Sequence, residues 1–153
     1  MAAHMPNFGV GQDPLDLAKN LQPSSLKTLK ILNISPNLYT PADDPYLSLA
    51  PQLEQFAGRN VLEGLKFHIW VDSDTRCNTD PANWEKLDNI LSQSGAFPFL
   101  RSVEIVVLQA DNASYKALEE DLLDIGRNHF PLLKARGGLA FLFEVRKGNM
   151  TAN

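Results

Sequence analysis

The sequence predicts an α/β fold of order β-α-β-α-β-α-β, with four parallel strands in sequential order and the helices on one face. Three observations carry this reading. Four segments alternate apolar residues at period two, as half-buried strands do. Their anchor residues Leu29, Leu65, Val103 and Leu139 recur at offsets of 36, 38 and 36, which marks a structural repeat. Three stretches between them space apolar residues at helical intervals. Alternation at this spacing argues for parallel strands joined by helical crossovers. Equal repeats that cover only their neighbours give the sequential order.

Taken in chain order, Met1–Met5 reads as an expression-vector remnant and is set outside the fold. Residues 6–25 read as an N-terminal cap or linker, in which Leu15, Leu17 and Leu21 form a short helix over the first strand. Residues 26–147 form the single domain, and 148–153 a flexible tail. The strands are Leu26–Ile34, Leu62–Val71, Leu100–Leu108 and Leu139–Val145, each rich in β-branched or aromatic residues. The first helix, 47–58, carries Leu49, Leu53, Phe56 and Ala57. The second, 81–94, carries Trp84, Leu87, Ile90 and Leu91. The third, 113–128, carries Tyr115, Leu118, Leu122 and Ile125. Asp80 before Pro81 is an N-cap followed by proline at the first helical position. Asn112 or Asp111 caps the third helix, while Gly58 and Gly95 fall where two helices end in a left-handed residue. Phe97-Pro98 and Phe130-Pro131 each follow a helix. Proline stops the helix there and the phenylalanine packs under the turn.

Composition narrows the function. A 153-residue chain at 44% hydrophobic is one domain with a substantial core. A net charge of −4 argues against a nucleic-acid partner. One cysteine precludes an intrachain disulfide framework and a cysteine-rich zinc site. No apolar run reaches membrane-spanning length, and no signal peptide is evident. A soluble protein of the cytoplasm or nucleus is expected. None of the nine glycines lies in a strand-to-helix loop, so phosphate-cradling dinucleotide and P-loop sites are not expected. The loop Asp72–Asp80 places acids at positions 1, 3 and 9 of a calcium loop. It has Cys77 where the sharp turn needs glycine and Asn83 where the bidentate glutamate belongs, so no metal is expected. Cys77 and His68 lack a third orienting group, and no nucleophile elbow or His-Glu-x-x-His motif is present. No catalytic residue and no cofactor are assigned.

The expected register puts Leu29, Ile31 and Asn33 with Leu65, Phe67 and Ile69, then Val103, Ile105 and Val107, then Leu139, Phe141 and Phe143, all facing the helices. The opposite face then carries a row of Lys30, Lys66, Glu104 and Ala140. Its next rows are Leu32, His68, Val106 and Leu142, and then Ile34, Trp70, Leu108 and Glu144. An apolar patch with a central aromatic marks a partner site. Leu32, His68, Trp70, Val106, Leu108 and Leu142 are therefore the candidate binding residues.

The repeated Leu-x-x-Leu-x-Ile/Phe strand pattern is similar to the strand half of leucine-rich repeats, at a longer spacing and without a regular terminal asparagine. The segments Asn60–Asp72, Trp84–Asp88 and Gly95–Val103 resemble the C-terminal repeat region of the F-box/leucine-rich-repeat-like proteins of mushroom-forming fungi. The resemblance covers roughly residues 26–147. It implies a leucine-rich-repeat-like α/β domain and a non-enzymatic protein-recognition module, the substrate-binding part of an F-box-like protein, taken from a longer chain. No F-box is recognisable in residues 6–25, so adaptor binding does not carry over. Two alternatives stay open. One is a small α/β enzyme with its site in the Ser35–Asp44 and Asp72–Asp80 loops, at the C-terminal ends of strands. The other is a protein that self-assembles through its sheet into a homo-oligomer.

Overall fold

The structure is a computed structural model that describes residues 2–4, 17, 21–35, 37–38, 45–71, 80–110 and 116–148. The loop Asp72–Asp80 except Asp80 itself, Cys77, the expected caps Asp111 and Asn112, and the expected tail beyond Gly148 lie outside the described residues.

The repeat pattern produces an all-parallel sheet. Its main strands are β2 (Ile31–Ile34), β4 (Gly64–Val71), β5 (Ser102–Ala110) and β6 (Ala140–Gly148), neighbours in sequential order. Two short strands extend it. β1 (Ala2–His4) pairs with β2, so three residues set outside the fold on sequence grounds add an edge strand. β3 (Asn37–Leu38) continues the line of β2 along β4. Between the main strands lie α1 (Pro45–Glu54), α2 (Pro81–Ser92) and α3 (Lys116–Asn128). A short helix, α4 (Pro131–Ala135), follows α3, so Pro131 starts a helix rather than only ending one.

Each main helix buries one stripe. Leu49 and Leu53 of α1, Trp84, Leu87 and Leu91 of α2, and Leu118, Leu122 and Ile125 of α3 join a single core with Leu65, Phe67, Val103 and Ile105. The described helices therefore share the inner face of the sheet. The expected punctuation is present. The Asp80 side chain accepts from the Ala82 N–H at 3.0 Å. Gly58 and Gly95 have φ of 70° and 75°, which a side chain would strain. Gly126 has a different reason: a Cβ there would come within 2.4 Å of the Phe143 ring. Leu17 and Leu21 of the N-terminal segment are buried in the same core, with the Leu21 N–H donating to the Leu17 carbonyl at 2.8 Å.

Side chains stitch successive repeats together. Asn60 Nδ2 donates to the Phe56 and Ala96 carbonyls at 2.8 and 3.0 Å, and its Oδ1 accepts from the Leu62 N–H at 3.3 Å. From the other side, Arg136 donates to the carbonyls of Leu91 and Phe97, both at 2.7 Å. The turn at 96–97 is thus held by polar groups of both neighbouring repeats.

The register departs from expectation at both ends. Gly64 pairs Ser102 and Ser102 pairs Ala140, an offset of 38 at both steps. Phe141, not Leu139, therefore lies beside Val103. The larger correction concerns β2. Leu32 lies beside Leu65, and both Leu32 and Ile34 are core residues. Ile31 and Asn33, expected to face the helices, take the outer positions. The cause is the 3-10 turn Ser25–Lys27. That turn buries Leu26, and the chain brings Leu29 and Leu32 inward at steps of three before it extends. Three residues is an odd slip, and an odd slip reverses the face of every side chain.

Asp88 on α2 holds the start of α4. It is 2% exposed, and its two carboxylate oxygens accept from the N–H groups of Leu132 and Leu133 at 3.0 and 2.8 Å. Burial pushes its carboxyl above the ordinary value of 3.8, against those two backbone bonds. Asp88→Ala leaves both N–H groups without their acceptor and should cost about 1–3 kcal/mol. A raised folded-state value means that the group's stabilisation is complete below 3.8 and lost as pH rises through the folded value. Urea midpoints measured upward from pH 4 should decline less steeply in Asp88→Asn than in the parent; equal slopes would refute this assignment.

Candidate outer-face binding site

Strand alternation sends every second side chain of β4, β5 and β6 to the face without described helices. Lys66, Glu104 and Leu142 form one row there. The next row is His68, Val106 and Glu144, and the one beyond is Trp70, Leu108 and Arg146.

The candidate residues divide into three groups. Leu32 does not belong to this face: it is fully buried beneath the helices because of the β2 register. Val106 is on the face but only 1% exposed, so it forms the floor rather than a contact. His68 and Leu142 are exposed, each to 44% (the side chain for His68), and Trp70 and Leu108 are half-buried. Leu142 sits one row away from its expected place, beside Glu104 rather than Val106.

Trp70 lies over the sheet toward β6. A Cβ on Gly148 would come within 2.9 Å of its ring, so the missing side chain makes room for the indole. The indole Nε1 is buried and has no hydrogen-bond partner among the described residues.

Charged groups frame these apolar residues. His68 Nε2 lies 2.8 Å from Glu104 Oε1, a pair between adjacent strands. Arg146 donates to the Glu144 carboxylate on the same strand. That hydrogen bond and the adjacent negative charge raise the Arg146 guanidinium further above its already high value. Both pairs are substantially exposed, so each orients side chains more than it stabilises the fold. The sequence register already puts Glu104 and Glu144 on this face; Arg146 is absent from it because the last strand is expected to end at Val145, whereas it runs to Gly148. Aligning its aromatic pair, Phe141 and Phe143, with Val103 and Ile105 gives the observed rows.

His68 has a carboxylate partner in Glu104, and Lys66 lies beside Glu104 in the row adjoining that of His68. No group of three or more His, Cys, Asp or Glu among the described residues is arranged to hold a metal. No helix among the described residues is long and apolar enough to cross a membrane. The chain matches no family model, no curated protein and no solved structure.

Proposed function

We propose that this chain is a non-enzymatic protein-recognition module of leucine-rich-repeat-like type that binds its partner through the outer sheet face. The proposal extends to the setting: the substrate-binding part of an F-box-like protein of the mushroom-fungus kind, working in the cytoplasm or nucleus. The observation that carries the reading is the sidedness of the sheet. The described helices pack on one face. The other presents Leu142, Trp70 and Leu108 among paired charges. Half-buried aromatics ringed by polar groups are the usual anatomy of a recognition surface.

The test is affinity capture from the source organism with parent chain and with a Leu142→Glu, His68→Ala double variant. Both positions are exposed, so the variant should unfold at nearly the parent's urea midpoint. Capture of the partner should fall by more than tenfold. Undiminished capture by the folded variant would refute the outer-face reading. A shift of the variant toward smaller mass in sedimentation would instead identify the partner as a second copy of the chain.

A further inference from the structure

A groove at the N-terminal end of the sheet shares no residue with the outer face. It has a volume of about 560 Å³ and lies between the 3-10 turn and the connection that follows α1. This is within the rough 300–1,000 Å³ of small-ligand sites. Leu21, Pro23, Leu26, Phe56 and Val61 supply its apolar lining. The Val61 N–H donates to the Leu26 carbonyl at 3.2 Å, which ties the two walls together.

The charged part of this lining has one sign among the described residues. Lys27 and Arg59 both line the groove, and no carboxylate among the described residues does. Lys27 has no ion-pair partner among the described residues, and the Arg59 guanidinium donates to the uncharged Gln55 carbonyl. Two exposed cations without counter-charge among the described residues stand out in a chain of net charge −4. An apolar trough flanked by unneutralised cations complements a ligand with an apolar body and an anionic end.

We infer that this groove binds an amphipathic carboxylate: an aliphatic chain against Leu21, Leu26, Phe56 and Val61, with its carboxylate between Lys27 and Arg59. The chain contributes contact area, and the two cations select the head group.

Three probes with the same ten-carbon chain separate these contributions: decanoate, decanol and decyltrimethylammonium. Each is titrated into the full chain while the methyl NMR signals of Leu21, Leu26 and Val61 are followed. Decanoate should shift these signals saturably and bind about tenfold tighter than decanol, a difference of about 1.4 kcal/mol, with the cation weakest, because charge-assisted hydrogen bonds favour the carboxylate. A Lys27→Glu, Arg59→Glu double variant should bind decanoate no better than decanol while leaving decanol affinity unchanged. A Lys27→Gln, Arg59→Gln variant, which removes both positive charges without introducing negative ones, should show the same loss at smaller size. Equal affinities of the parent for decanoate and decanol would overturn the inference. So would the absence of a saturable shift, or shifts centred on Leu108 and Leu142.

Discussion

Trp84→Ala should destabilise the fold by about 3–5 kcal/mol, the usual cost of truncating a fully buried aromatic. Trp84 is 0% exposed at the centre of an aromatic cluster. It meets Phe130 and Phe143 edge-on, with ring centroids 5.8 and 5.7 Å apart. Phe130 in turn packs on Phe141 at 5.0 Å and on Phe143 at 5.8 Å. These contacts join α2, the turn before α4 and the last strand, so the cavity would open where three elements meet. Their separate supports leave little freedom to collapse into it. Urea unfolding of Trp84→Ala and Trp84→Phe should show the full loss in the first and a smaller loss in the second. A loss below about 1 kcal/mol for alanine would contradict the packing described.

The second large effect distinguishes two registers of β2. Leu32→Ala should cost about 2–5 kcal/mol, because Leu32 is 0% exposed against the helices. Ile31→Ala, at 36% exposure on the outer face, should cost much less. Strict alternation from Leu29 predicts the opposite ranking, with Ile31 inside and Leu32 outside. Urea midpoints of the two variants decide between them.

The main strands, the helices between them and the caps at Asp80, Gly58 and Gly95 were legible because each rests on local chemistry. Period-two alternation, a helical stripe and a left-handed glycine need no knowledge of the rest of the chain. Register was less legible because it is a relation between segments. Leu29 resembles Leu65 in its local sequence, but the 3-10 turn before it changes the phase at which the strand begins. The candidate site inherited that error at Leu32 and, through the two-residue shift of β6, at Leu142. Trp70, Leu108, His68 and Val106 kept their face because β4 and β5 pair at the expected offset of 38, Leu65 with Val103. The shelter of Val106 was not legible, since exposure depends on side chains from adjoining strands. Nor was the α4 start on Asp88, a contact between residues 44 and 45 apart.

A photo-crosslinker tests directly whether recognition uses the outer sheet face. Benzoylphenylalanine is placed at Leu142 on that face in one chain and at Lys86, an exposed position on α2, in another. Each is used to capture the partner and then irradiated. Position 142 should give a covalent adduct with the captured partner and position 86 none. An adduct from position 86 alone would place the partner on the helices and contradict the outer-face reading.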